Sequence, residues 1–135
     1  MNYQDQVVVL TGASGGIGSA MAKKFTDLGA KVALLDITVD RVQALADKLG
    51  LGSDRAFCAA VDVSNEESVK ATVDAIVKHF GRIDVLVNAA GIPGPSARVE
   101  DYSFSDAKKV LSVNLFGTFL MMHTVLPVMQ AQKPA

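Results

Sequence analysis

The sequence predicts an α/β fold: a doubly wound parallel sheet with helices on both faces. Three observations predict it. Short apolar runs rich in Val, Ala and Leu alternate with segments of helical periodicity. Those runs are apolar throughout rather than alternating, as in strands buried on both faces. A glycine cluster separates the first run from the first helix, at the carboxyl end of a strand, where open parallel sheets bind their ligands.

Taken in order, Val7 to Leu10 is the first strand, and the glycines after it open a helix carrying Ile17, Met21, Phe25 and Leu28, with Gly29 at its C-cap. Lys31 to Leu35 is the second strand. Thr38 is the expected N-cap of a helix through Val42, Leu45 and Leu49 that stops at Gly50. Ala56 to Val61 reads as the third strand. Ser64-Asn65-Glu66-Glu67 has capping-box spacing, and Val69, Val73, Ile76, Val77 and Phe80 continue it as one apolar face up to Gly81. Ile83 to Val87 is the fourth strand. The stretch from Asn88 to Tyr102, with Pro93 and Pro95, is expected to be irregular. Ser103 with Asp106 then caps a long helix through Val110, Leu111, Leu115 and Phe119, which Pro127 should bend or end. Met121, Met122, Phe116, Phe119 and Leu120 are expected on its buried face.

Composition bounds the function. With 135 residues the chain is the size of one domain, and 13 basic against 14 acidic residues leave a net charge of −1, so nothing points to nucleic acid as a partner. No basic cluster precedes the Val7 run, so no secretory leader is expected. Each apolar run is broken by charge, Gly or Pro short of the ~20 residues a bilayer requires. No membrane is therefore expected as a partner, and a cytoplasmic setting is. Cys58, the single cysteine, excludes an internal disulfide and reads as a small buried hydrophobe. His79 and His123 fall in separate helices without neighbouring ligand types, so no metal site is expected.

The glycine cluster Thr11-Gly12-Ala13-Ser14-Gly15-Gly16-Ile17-Gly18 carries the strongest functional signal. Without side chains the backbone turns sharply and a pyrophosphate can approach a helix N-terminus, with its free N–H groups and positive dipole end. A P-loop of the ATPase kind is excluded, because no Gly-Lys pair followed by Ser or Thr occurs. Asp36 ends the second strand about 20 residues further on, where a carboxylate binds the adenosine ribose hydroxyls. The competing role, capping the next helix, is already offered by Thr38. A carboxylate here repels a 2′-phosphate, and Ile37 and Thr38 supply no compensating cation, so NAD is preferred over NADP. Asp62-Val63 and Asn88-Ala89-Ala90-Gly91 stand at the ends of the third and fourth strands, on the same side of the sheet.

TGASGGIG, the acid after the second strand, the Asp62-Val63 pair, VNAAG at 87–91 and the stretch Val113 to Phe119, in this order, resemble the short-chain dehydrogenase/reductase family. The resemblance covers nearly the whole chain. It implies a Rossmann-type sheet of strand order 3-2-1-4, truncated after the fourth strand and the following long helix, so that residues 1–135 form an incomplete NAD(P)-binding domain. It assigns Gly12, Ser14, Gly15, Gly16, Ile17 and Gly18 to the dinucleotide turn, Asp36 and Ile37 to the adenosine ribose, and Asp62 and Val63 to the adenine. Asn88, Ala89, Ala90 and Gly91 would stabilise the central strands and touch the cofactor. The family usually carries a second asparagine where this chain has Ala89. Asn114 matches the family's catalytic asparagine, which holds a proton-relay water; taken alone, it reads equally as a polar residue bending a long helix.

The family's proton-transfer signature, YxxxK, is not in the sequence: the residues four beyond Tyr3 and Tyr102 are Val7 and Asp106. A fifth strand and its catalytic serine are not found either. The resemblance therefore implies an NAD-dependent oxidoreductase of small secondary alcohols or carbonyl compounds, forming a homo-oligomer through the helix at 104–130, with this chain its cofactor-binding half and inactive alone. An unpaired fourth strand is an aggregation hazard, which favours a longer parent protein. The alternative is a non-catalytic dinucleotide-binding or interaction module.

Overall fold

A computed structural model describes residues 2–134; Met1 and Ala135, the ends of the expected domain, lie outside them. The elements are β1 (Val7–Thr11), α1 (Gly16–Asp27), β2 (Lys31–Asp36), α2 (Val39–Lys48), β3 (Ala56–Ala60), α3 (Glu66–Phe80), β4 (Val85–Asn88), α4 (Phe104–Leu111) and α5 (Gly117–Ala131). A short 3-10 turn (Val99–Asp101) precedes α4, and a π-helical segment (Ser112–Phe116) joins α4 to α5. The strands form one parallel sheet in the order β3-β2-β1-β4, as the sequence predicts.

Residues on successive positions of β1 and β2 point to opposite faces, which builds two cores. On one face Val7, Val9, Ala33 and Leu35 pack with Val69, Val73 and Ile76 of α3 and Met121 and Val125 of α5. On the other, Val8, Leu10, Val32 and Leu34 pack with Ala22 of α1 and Val42 and Ala46 of α2. Each large aliphatic side chain so buried contributes roughly 1.5–3 kcal/mol. Double burial of β1 and β2 is thus the reason their sequences are apolar without alternation.

Local signals mostly hold. Gly29 and Gly81 take positive φ (94° and 83°) just past α1 and α3, and the Ser103 hydroxyl accepts the Asp106 N–H at 3.1 Å to start α4. Three expectations at element ends need correction, two at helix caps and one at a strand start. The α3 cap is Asn65, whose Oδ1 accepts the Ser68 N–H at 2.8 Å, because the Asp62 carboxylate already takes the Ser64 hydroxyl and N–H. Thr38 stands at the N-cap of α2 but its side chain makes no capping bond. β4 begins two residues late: the Gln132 amide pairs with both backbone groups of Ile83, accepting at 3.1 Å and donating at 2.6 Å.

The long helix departs further. Pro127 does not end it, since Met121 and Val125 before the proline and Val128 and Met129 after it pack against the same core. Nor does Gly117 interrupt it, so Phe104–Ala131 is one helix long and apolar enough to cross a membrane by length and composition. Phe116, Phe119 and Met122 do not face the core but stand 55%, 58% and 53% exposed. The inward face is set by Gly117, Met121 and Val125, spaced four apart, with Leu120, Val128 and Met129 packed beside them, while Phe116, Phe119 and Met122 fall on the outward side.

Candidate functional site

The glycine turn closes because two of its residues lack Cβ atoms. Gly12 has φ +62°, and a Cβ there would lie 2.6 Å from the Ala89 carbonyl oxygen; a Cβ on Gly18 would strike the Gly12 carbonyl. The first turn of α1 therefore presses directly onto the end of β1, and the end of β1 onto the loop after β4. Ala13 N–H donates to Leu35 O at 3.0 Å, tying the turn to β2 as well. Gly15 is the N-cap of α1 and brings no side chain to occupy the helix's leading N–H groups, and at Gly16 a Cβ would meet nothing within 4 Å. Open space before an unspent helix N-terminus is what an approaching pyrophosphate requires.

Thr11, 1% exposed, fixes the far side of the turn. Its hydroxyl oxygen accepts the N–H groups of Ala89 and Ala90, both at 3.1 Å. Backbone N–H groups beyond β4 are thus held by a side chain on β1, a role the sequence does not single out.

Asp36 is preorganised. Its Oδ2 accepts from the Ser14 N–H (3.1 Å) and the Ser14 hydroxyl, and its Oδ1 from the Ile37 N–H (2.7 Å). Burial raises the carboxyl pKa, but the bonds from Ser14 and Ile37, helped by the charge of Arg41, outweigh it and hold the group below the ordinary carboxylate range. Asp36 is ionised at neutral pH, poised to accept from hydroxyls. Asp62, by contrast, spends Oδ1 on the Ser64 N–H (3.0 Å) and hydroxyl (2.6 Å), while its own N–H donates to the Ser68 hydroxyl.

Asn114 lies in the π-helical segment, and its amide pairs with Ile92: Oδ1 accepts the Ile92 N–H at 2.8 Å and Nδ2 donates to Ile92 O at 2.9 Å. Its side chain thus positions the loop after β4. The same close approach leaves a Cβ on Gly91 only 3.3 Å from Asn114 Oδ1.

These pieces enclose a cleft of about 600 Å³. Of the sequence-predicted residues, Gly12, Ser14, Gly15, Asp36, Ile37, Asp62, Val63, Ala89, Ala90 and Gly91 line it. Gly16, Ile17, Gly18, Asn88 and Asn114 lie outside its wall: Gly18 and Asn114 shape it from behind, and Asn88 pairs with Thr11 across the sheet. The structure adds Val61, Ser64, Ile92, Arg41, Lys109, Ser112 and Val113. Arg41 lies in the first turn of α2 and Lys109 on α4, where only packing brings them to the strand ends; no local motif marks either. Among the described residues no three of His, Cys, Asp or Glu converge as metal ligands. Cys58 is half-buried, and burial raises its thiol pKa.

Comparison with known proteins finds this arrangement repeatedly. A family model described as short chain dehydrogenase matches residues 6–135. D-threitol dehydrogenase of Mycolicibacterium smegmatis is 43% identical over 122 residues, 89% of this chain and 46% of that protein. A short chain dehydrogenase/reductase from Burkholderia phymatum, solved with NAD, superposes with a TM-score of 0.91 at 31% identity, over 100% of this chain and 48% of its own. A 3-ketoacyl-(acyl-carrier-protein) reductase from Brucella melitensis, solved with NADH, gives 0.88 at 34% identity over 94% and 51%. The chain spans about half the length of the relatives it matches. A parallel β3-β2-β1-β4 sheet, a glycine turn closed against β1 and a family match over nearly every residue lead to one conclusion: the chain belongs to the short chain dehydrogenase family of oxidoreductases.

Proposed function

We propose that residues 1–135 are the dinucleotide-binding half of an oxidoreductase that prefers NAD over NADP and acts on small secondary alcohols or carbonyl compounds. The observation that carries this is one cleft joining the glycine-rich turn, through Gly12, Ser14 and Gly15, with an ionised Asp36. Gly16 and Ile17 would present N–H groups to the pyrophosphate beside Gly15, whose own N–H is taken by Gly12 O, Asp36 would accept from the adenosine ribose, and Asp62 and Val63 would flank the adenine. Ala89, Ala90 and Gly91, held by Thr11 and Asn114, would bring backbone groups to the cofactor's other end. A bound nicotinamide supplies the hydride acceptor or donor. Relatives that carry dehydrogenase and reductase names, two of their structures solved with NAD or NADH, support the same chemistry.

Within these residues only Asn114 corresponds to the family's catalytic group, and it acts here on the loop at Ile92. No tyrosine is followed by lysine four residues later. The 135 residues by themselves are therefore proposed to bind dinucleotide without turnover, because no general acid or base is placed at a reacting carbon. The exposed stripe Leu111, Leu115, Phe119, Met122 and Leu126 supports a contact between copies of the protein rather than a membrane span. Calorimetric titration with NAD tests the assignment. A hydrogen bond to a charged group contributes about 1.5–3 kcal/mol, so Asp36→Ala should weaken binding at least ~10-fold. Unchanged NAD affinity in that variant would remove the cofactor assignment.

A further inference from the structure

The charge at the adenosine end of the cleft is not that of Asp36 alone. Arg41 lies two residues into α2 from Val39, on the same cleft wall as Asp36 and Ile37. Its side chain is exposed and makes no hydrogen bond or ion pair among the described residues, although Asp36 feels its charge. The neighbouring Thr38 hydroxyl is likewise unspent, because it makes no capping bond. Asp40 follows Thr38 on α2, and Asp62 faces the cleft from the end of β3, so the surroundings are otherwise acidic.

A ribose held by Asp36 through its hydroxyls would carry any 2′-substituent on the carbon bearing one of those hydroxyls. A 2′-phosphate would replace one of the hydroxyls that Asp36 accepts from, in the part of the cleft lined by Asp36, Ile37 and Arg41. It would meet repulsion from Asp36 and, beside it, a free guanidinium whose planar donors match phosphate oxygens. We infer that Arg41 is a specificity-determining residue: it offers a 2′-phosphate contact that partly offsets Asp36, so the protein discriminates against NADP less than its carboxylate alone dictates. This rests on the cofactor assignment above. Ile37 and Thr38, the two positions after Asp36, supply no cation, whereas the first turn of α2 brings one back at Arg41.

Equilibrium titration of the protein with NAD and with NADP, by calorimetry, tests the inference through the ratio of the two dissociation constants. Arg41→Ala should raise the NADP-to-NAD ratio at least 5-fold while NAD affinity changes less than 2-fold; Arg41→Lys, which keeps the charge, should recover part of the loss. Asp36→Ala should lower the ratio, and adding Arg41→Ala should cancel most of that gain. A ratio within 2-fold of wild type in Arg41→Ala, with NAD binding intact, would overturn the role of Arg41 and leave the cofactor site standing. If wild-type protein binds neither dinucleotide, the cofactor assignment falls and this inference with it. Arg41 is exposed, so the decisive variant leaves the core untouched.

Discussion

Thr11→Val removes one hydroxyl and keeps the shape of the side chain. Thr11 is 1% exposed, and its oxygen accepts two N–H groups, those of Ala89 and Ala90. Valine leaves both donors unpaired beside an apolar methyl. A donor stranded away from water costs about 1–3 kcal/mol. Ala89 and Ala90 are half-buried, so water can partly replace the lost acceptor, and the low end of that range applies to each. The expected loss is therefore about 2–3 kcal/mol, with no compensating cavity or strain. With a urea m-value of about 1–3 kcal/mol/M, the midpoint should drop by roughly 0.7–3 M at unchanged m. Thr11→Ser keeps the acceptor and gives up one methyl group, about 0.8 kcal/mol if fully buried. It should therefore recover most of the loss. A valine variant within about 0.5 kcal/mol of wild type, or a serine variant as unstable as valine, would refute the clamp.

Other substitutions probe other joints of the site. A Cβ on Gly117 would sit 2.6 Å from Val63 Cγ2, so Gly117→Ala should cost about 1–3 kcal/mol by overpacking. Adding Val63→Ala should relieve that clash; a thermal midpoint in Gly117→Ala equal to wild type would remove the close approach from the account. Asn114→Ala should speed amide exchange at Ile92 well beyond any change in global stability, and equal protection in the two proteins would show that the loop is held by something else. Asp84 gives a pH signature: burial raises its pKa, but the Arg82 guanidinium and the Val7 N–H outweigh that and lower it. A carboxyl depressed in the folded state contributes stability fully above its unfolded pKa, about 3.9, and loses it as pH falls through the lower folded value. The urea midpoint should thus fall on acidification below about pH 4, and less steeply in Asp84→Asn; identical slopes would contradict it.

The sequence by itself determined the strands and the place of the glycine turn, while the order of the strands came from the resemblance to a known family. Apolar runs without alternation have no stable position except between two helix layers, and a turn of this kind fits only between a strand and a helix. Asp36 and the loop after β4 were legible for the same reason, since each stands at a fixed distance from a strand end. What lay beyond reach involves partners far apart in the chain. Thr11 reads as one more β-branched residue until β4 is beside it, and Arg41 and Lys109 read as solvated charges until α2 and α4 are docked at the strand ends. The long helix shows the limit most clearly. Its composition is apolar on nearly every side, so periodicity could not say which side chains face inward. Gly117 approaching Val63, with Met121 and Val125 on the same row, settles the rotation and leaves Phe116, Phe119 and Met122 outside. Local pattern fixes elements because backbone geometry is local; the rotation of a helix and the neighbours of a charge are set by packing, which only the tertiary structure decides.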